Sequence, residues 1–190
     1  MRDSPTMSVS SHLFVTGMPR SGTTLLDKLL STPGSSRIYS QPLPLLFAEV
    51  KRSFLEQRGQ SVDFPLSDML LSNYYEPAQW FRFLRDFKID AVYFERITRA
   101  MQSFSGQYTR RDNSAEFLRS FNAGTIDRLI LAYLSWLGAT DLKLVGLKET
   151  WCEEYIPFLI ENGFKCLLIL RDPRDVITSL NHGRGRSYGG

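Results

Sequence analysis

The sequence has few of the residues that build metal sites or disulfide frameworks. Its 190 residues include two cysteines and two histidines, and Cys152 and Cys166 belong to no C-x-x-C pair or Cys/His cluster. This count excludes a disulfide-rich scaffold and offers no zinc-ligand spacing. We therefore expect reduced thiols, a cytoplasmic protein and no bound metal.

Long apolar runs and strongly basic stretches are also lacking. No apolar run approaches the roughly 20 residues of a membrane span, and residues 1–11 lack the apolar centre of a signal peptide. The formal net charge of +3 is too small to indicate a nucleic-acid partner. We expect a disordered leader over residues 1–11 and a single globular domain over residues 12–190.

The most informative spacing lies near the N-terminus. Residues 13–16 predict a short buried strand, and leucines follow Gly22 at the spacing of an apolar helix face: Leu25, Leu26, Leu29 and Leu30. Between strand and helix, the loop from Gly17 to Gly22 predicts an anion cradle, where backbone N–H groups converge at a helix N-terminus. The alternative is an ordinary strand-to-helix turn with a surface arginine, Arg20.

One position of this loop departs from the common nucleotide-binding pattern. Residues 17–24 match G-x-x-x-x-G-K-[ST] except at Thr23, which replaces the lysine. Because that lysine normally reaches the outer phosphates of a nucleoside triphosphate, its absence argues against ordinary ATP or GTP hydrolysis. The cation of this loop is instead Arg20, which offers forked hydrogen bonding to a tetrahedral oxyanion.

The middle of the chain predicts helices. Spacing and breakers indicate a strand at 36–41 and then helices at 45–58, 66–71, 76–87, 91–104 and 114–137. This section is rich in Phe, Tyr and Trp. Its aromatic stripe is explained either as core or as a cap that lines an acceptor pocket, and the spacing does not separate the two.

The last part of the chain alternates strand and helix. The pattern predicts a strand at 143–147, a helix at 151–162, a strand at 164–170 and a helix at 176–181. The near-continuous apolar run 164–170 is typical of a central parallel strand. We expect an α/β fold with a parallel, doubly wound sheet, which collects ligands at the carboxyl ends of its strands. Arg20, Lys148 and Arg171 all follow strand ends, so one crevice with three cations is predicted to bind a polyanion.

Arg171 and Ser179 add a second possible phosphate contact. An arginine at the strand end and a hydroxyl two turns into the next helix are suited to hold one phosphate together. The alternative is a solvated salt-bridge cluster of Arg171, Asp172, Arg174 and Asp175, with Ser179 on the helix surface.

Two segments resemble the donor-binding motifs of the sulfotransferase family. Pro19-Arg-Ser-Gly-Thr-Thr24 is similar to the family's 5′-phosphosulfate loop, and Leu170-Arg-Asp-Pro-Arg-Asp-Val-Ile-Thr-Ser179 is similar to its 3′-phosphate motif. The resemblance implies a P-loop-kinase-like α/β fold, with a parallel sheet flanked by helices and a helical insertion over about 45–138. It also implies 3′-phosphoadenosine 5′-phosphosulfate (PAPS) as co-substrate, without a metal.

The resemblance assigns roles to individual residues. It makes the 5′-phosphosulfate cradle from Arg20, Ser21, Gly22, Thr23 and Thr24, and the 3′-phosphate grip from Arg171 and Ser179. Arg20 and Lys148 become the catalytic residues, because a lysine in the place of Lys148 contacts the sulfuryl group in the tyrosylprotein branch of the family.

The sequence departs from the family in two respects. Gln41 matches the general-base Glu of the tyrosylprotein branch but has no group that titrates near neutral pH, so we expect it only to orient the acceptor. Glu49 and Glu149 are either substitute bases or ordinary carboxylates, whereas His12 is expected to face away and His182 to end a helix. Because relatives continue beyond the 3′ motif, we also expect a domain truncated at its C-terminus.

Two functional classes follow. The first is a sulfotransferase that moves a sulfuryl group to a hydroxyl or amine of an unknown small-molecule, carbohydrate or peptide acceptor. The second is a nucleotide-binding or nucleotide-kinase-like module in which no sulfuryl group moves. A preference for a 3′-phosphorylated nucleotide over ATP would separate them.

Overall fold

The fold is built on a four-stranded parallel sheet. The computed structural model describes residues 11–60, 75–90, 92–93, 95–96, 117, 123–137 and 142–182. Within these residues the strands are β1 (Ser11–Gly17), β2 (Ser36–Ser40), β3 (Leu144–Lys148) and β4 (Lys165–Ile169), and their order in the sheet is β2-β3-β1-β4. Every neighbouring pair is parallel. The predicted α/β class with a parallel sheet is confirmed.

Helices lie between these strands along the chain and after the last of them. Those defined within the described residues are α1 (Thr23–Leu29), α2 (Pro44–Glu56), α3 (Pro77–Asp86), α4 (Ile126–Trp136), α5 (Ile156–Glu161) and α6 (Pro173–His182). A proline stands in the first turn of both α2 and α3, where its missing N–H is not needed. Residues 1–10 of the predicted leader, the helix at 66–71 and most of the helix at 91–104 lie outside the described residues, whereas Ser11, predicted to belong to the leader, begins β1.

Both faces of the sheet are covered because side chains alternate along each strand. Phe14 of β1 and Leu147 of β3 are fully buried in the main core, which they share with apolar side chains of α2 to α5. The opposite face carries a smaller core against α1, formed by Leu13, Val15 and Ile38 with Leu26 and Leu30.

In the aromatic section around α3 the side chains of Trp80 and Phe87 are buried in the core, and the other described rings are partly buried against it. Trp80 of α3 is 2% exposed, and its ring meets Phe54 and Tyr155 edge-on, with centroid distances of 5.1 and 5.2 Å. The indole Nε1 donates a 3.0 Å hydrogen bond to the carbonyl oxygen of Glu154, which satisfies its polar atom. Phe87 is buried in the same cluster. For these side chains the core interpretation is correct.

The predicted apolar face of α1 is wrong in part. Leu25 and Leu29 are 64% and 69% exposed, whereas the buried residues of this helix are Thr23 and Asp27. The inward face therefore follows the helical spacing from Thr23 rather than the leucines. A buried carboxylate on a short helix is costly unless it has a charged or hydrogen-bonding partner, so Asp27 requires one.

The strand at 164–170 was predicted to be central, and this is wrong within the described sheet. β4 pairs only with β1 there and lies at the edge. Leu168 and Leu170 are 41% and 83% exposed. A continuous apolar run predicts that both faces of a strand are covered, but it does not determine which partners cover them.

Two predicted helices differ from their patterns within the described residues. The helix predicted at 114–137 is interrupted at Gly124, which exchanges backbone hydrogen bonds of 2.8 and 3.1 Å with Ile89, and α4 starts beyond it. The helix predicted at 151–162 starts as a 3₁₀ turn, Glu153–Tyr155, which continues into α5. Trp151 cannot belong to it because its φ is +57°.

Candidate functional site

The loop that joins β1 to α1 has the geometry of a tight, glycine-dependent cradle. A Cβ on Gly17 would lie 2.6 Å from the carbonyl oxygen of Ile169, so only glycine fits this approach. Gly22 precedes α1 with a φ of +101°, and Arg20 has a φ of +66°. The Ser21 Oγ is buried but has no hydrogen-bond partner among the described residues. An unsatisfied buried hydroxyl beside backbone N–H groups is suited to an oxyanion.

The two ends of the chain meet at this loop. The Arg20 Nε donates a 3.1 Å hydrogen bond to the Ser179 Oγ on α6, and an Arg171 terminal nitrogen donates a 2.9 Å hydrogen bond to the backbone oxygen of Arg20. Arg171 also lies 3.8 Å from the Asp175 carboxylate, while Arg174 pairs separately with Asp172 at 2.6 Å. Arg171 and Ser179 therefore both contact Arg20, and the salt-bridge cluster is present beside them.

Lys148 is buried at the end of β3. It lies in register with Val15 of β1 and Ser40 of β2, on the sheet face that α1 covers. Its side chain is 1% exposed, and its ammonium lies 3.9 Å from the Asp27 Oδ2 on α1. Sequence reasoning missed Asp27, although its position four residues after the loop threonine Thr23 predicts the same inward face.

Gln41 is tied to the loop that follows β3. Its backbone N–H donates a 2.6 Å hydrogen bond to the Lys148 carbonyl oxygen, and its side-chain Nε2 donates a 3.1 Å hydrogen bond to the Thr150 Oγ1. Gln41 has a φ of +44°. The non-glycine residues with positive φ in the described ranges are Arg20, Gln41 and Trp151, which follow β1, β2 and β3 respectively. Strained backbone of this kind concentrates at functional sites.

A buried lysine fixes the third of these strained residues. The Lys51 Nζ of α2 donates a 2.6 Å hydrogen bond to the Trp151 carbonyl oxygen and forms a 3.1 Å ion pair with Glu154. The Trp151 N–H in turn reaches the Gly17 carbonyl oxygen at 3.4 Å. The loops after β1 and β3 are therefore held together at the carboxyl edge of the sheet, where a parallel sheet binds its ligands.

The alternative bases occupy structural positions. Glu149 is 1% exposed, and its Oε1 accepts a 2.7 Å hydrogen bond from the Leu43 N–H at the start of α2. Glu49 accepts a 3.2 Å hydrogen bond from Arg52 on the same helix. His12 lies at the amino end of β1, and burial lowers its pKa. Of His182 only its position as the last residue of α6 is described.

Cys152 lies beside the site, but its environment opposes thiolate chemistry. Its backbone N–H donates a 3.3 Å hydrogen bond to the buried Thr16 Oγ1. Complete burial raises the pKa of the thiol well above its usual value, because the charged form would lose its hydration. Cys152 and Cys166 are both free.

Comparison with known proteins gives one match, which covers nearly the whole chain. A family model described as "Sulfotransferase family" matches residues 12–188. The chain belongs to the sulfotransferase family. No curated protein and no solved structure matches it. Membership implies a transferase that uses a sulfate donor and an acceptor.

This sulfotransferase also lacks two features in its described part. No described helix is long and apolar enough to cross a membrane. Among the same residues, no group of three or more His, Cys, Asp and Glu side chains converges in a way that would hold a metal ion. The P-loop-kinase-like fold implied by the resemblance agrees with the parallel sheet and its flanking helices.

Proposed function

We propose that this sulfotransferase moves a sulfuryl group from PAPS to a hydroxyl or amine of an acceptor. The observation that carries the proposal is the junction of the two motifs. Arg171 and Ser179 contact Arg20 directly, although about 150 residues of sequence separate them from it. A donor with phosphate at both its 3′ and 5′ ends would bridge two adjacent groups of cations and hydroxyls.

The loop after β1 fits the 5′-phosphosulfate. The unpartnered Ser21 Oγ offers a hydrogen-bond donor, and Arg20 provides a guanidinium for charge-assisted hydrogen bonds. Gly22, Thr23 and Thr24 complete the cradle with the backbone N–H groups at the start of α1. When bound, the donor supplies an activated sulfuryl group whose bond to a 5′-phosphate oxygen breaks on transfer.

Arg20 and Lys148 are proposed to stabilise negative charge as that bond loosens. Both are cations at neighbouring strand ends, and Lys148 is 1% exposed, so its charge acts in a medium of low polarity. Water is largely excluded from this ammonium. We expect that no step requires a metal. This expectation stays a prediction from the chemistry of the donor.

Gln41 is proposed to orient the acceptor. Its amide donates to Thr150, which leaves the amide oxygen of Gln41 as the atom suited to accept a hydrogen bond from an acceptor hydroxyl or amine. The reaction then transfers the acceptor proton to a group other than Gln41, because an amide does not take up a proton near neutral pH.

The cytoplasmic location stays a prediction from the two free thiols.

A binding experiment tests the donor. Isothermal titration of the protein with 3′,5′-bisphosphoadenosine, 5′-AMP and ATP, with and without Mg²⁺, should give the tightest binding for the bisphosphate and no effect of the metal. The release of radioactive sulfate from labelled PAPS then measures transfer to water. A preference for ATP with Mg²⁺ would support the nucleotide-kinase-like alternative and overturn the proposal.

A further inference from the structure

Asp27 is a buried carboxylate next to Lys148 that the proposed reaction does not yet use. It lies on the inward face of α1, one turn after Thr23, and is 5% exposed. A carboxylate is seldom buried without a partner because the charged form loses its hydration. An apolar side chain at this inward position would pack without that cost, so the carboxylate indicates a task beyond packing.

The contact between Asp27 and Lys148 is close but loose. The two charged atoms are 3.9 Å apart, beyond hydrogen-bond distance, and both side chains are almost inaccessible, at 6% and 1%. The Asp27 Oδ2 accepts no hydrogen bond from any described residue. At this separation Coulomb attraction holds the ammonium near the carboxylate without an N–H···O bond between these two atoms.

We propose that Asp27 is a positioning residue for sulfuryl transfer. It holds the Lys148 ammonium between β3 and the phosphate-binding loop, and it balances that buried charge until the anionic donor arrives. This role depends on the proposed function, because only a donor that places its sulfuryl group beside Lys148 makes use of the held ammonium.

The role predicts opposite effects on binding and on turnover. Asp27→Asn keeps the side-chain volume but removes a negative charge from a site that binds an anion, so PAPS should bind equally well or up to about 5-fold more tightly. Turnover should fall by about 10- to 100-fold, since an ammonium that has lost the attraction of Asp27 is less well placed in the transition state. A purely structural carboxylate would instead weaken binding and turnover together.

Four variants separate these possibilities. Asp27→Glu restores the charge and should recover part of the turnover. In a Lys148→Ala background, Asp27→Asn should cause less than about a 3-fold further loss, because the two residues act as one unit. Glu56→Gln is the control: it removes a carboxylate from an ion pair of α2 with Arg96 that has no role in the proposed site, so turnover should stay within about 3-fold and donor affinity should not change.

The measurements are donor affinity by calorimetry, thermal unfolding, and release of labelled sulfate from PAPS. If Asp27→Asn loses donor affinity and turnover in parallel, or lowers turnover equally with and without Lys148, the positioning role is overturned while the proposed function stands. If the wild-type protein neither binds 3′,5′-bisphosphoadenosine nor releases sulfate from PAPS, the proposed function is overturned, and the role of Asp27 with it.

Discussion

Arg171 offers the sharpest test of donor recognition, because it has two separable tasks. Its guanidinium is proposed to bind the 3′-phosphate, and it already donates a 2.9 Å hydrogen bond to the Arg20 carbonyl oxygen in the 5′ loop. Arg171→Ala removes both. The change should therefore weaken the binding of every nucleotide that uses the 5′ loop, and it should weaken the binding of nucleotides with a 3′-phosphate further.

The structure sets the scale of each part. The Arg171 side chain is 41% exposed, so the contact with Arg20 is a partly solvated hydrogen bond worth about 0.5–1.5 kcal/mol, or about 2- to 13-fold in affinity. A charge-assisted bond to the 3′-phosphate is worth about 1.5–3 kcal/mol more. In Arg171→Ala we expect the binding free energy of 5′-AMP to weaken by no more than the contact with Arg20 contributes. The binding free energy of 3′,5′-bisphosphoadenosine should weaken by both contributions together.

Calorimetric titration of both nucleotides measures the difference. Arg174→Ala is the control for net charge, since it removes one positive charge three residues away from a side chain that is 89% exposed and paired with Asp172. It should shift both affinities by less than about 2-fold at physiological salt. Equal losses of the two nucleotides in Arg171→Ala would refute a 3′-phosphate role and leave only the contact with the 5′ loop. Matching losses in Arg174→Ala would reduce the effect to general electrostatics.

The remaining predictions concern the reacting centre and the stability of the fold. Lys148→Ala should lower sulfate release from PAPS by about 10²–10³-fold with a smaller change in donor affinity, and a loss confined to affinity would contradict its catalytic role. Gln41→Glu should raise the transfer rate above about pH 6 by supplying a base, whereas Gln41→Ala should lower it less than Lys148→Ala does; a flat pH profile in the Glu variant would argue against an acceptor-facing position. Trp80→Ala should cost about 3–5 kcal/mol in urea unfolding, because this buried ring packs on four others; a cost below about 1 kcal/mol would contradict its place in the core. Burial raises the pKa of Glu153, so the fold loses stability as pH rises and this side chain ionises. Glu153→Gln should therefore raise the urea midpoint at pH 7. This gain should vanish below about pH 4, where the glutamate is protonated in both the folded and the unfolded protein.

Local patterns in the sequence were sufficient for the elements that carry the site. The strand–loop–helix unit at the N-terminus, the strand that ends at Lys148 and the helix after Arg171 all form close to their predicted places. Glycine spacing and apolar runs determine local structure over a few residues, so they can be recognised without the tertiary structure. The parallel alternation also predicted that strand ends bearing cations would meet at one edge of the sheet.

Helix boundaries and burial depended on contacts that are distant in sequence. Gly124 interrupts a helical pattern because it pairs with Ile89, and the leucines of α1 were predicted to be buried although two of them face outward. Periodicity identifies an amphipathic helix, but a short helix with polar residues at inward positions gives a misleading apolar face. Only the packing of the sheet shows which side is inside.

The sequence by itself determined the family, the α/β class and the two segments that resemble the family's donor-binding motifs, since these depend on local backbone geometry and residue type. Tertiary structure alone decided which side chains lie together: Arg20 with Arg171 and Ser179, Gln41 with Thr150, and Lys148 with Asp27. The physical reason is that the effect of a charged side chain depends on the groups within a few ångströms of it. The neighbours of Lys148 come from strands and a helix that the chain brings together only when the parallel sheet forms.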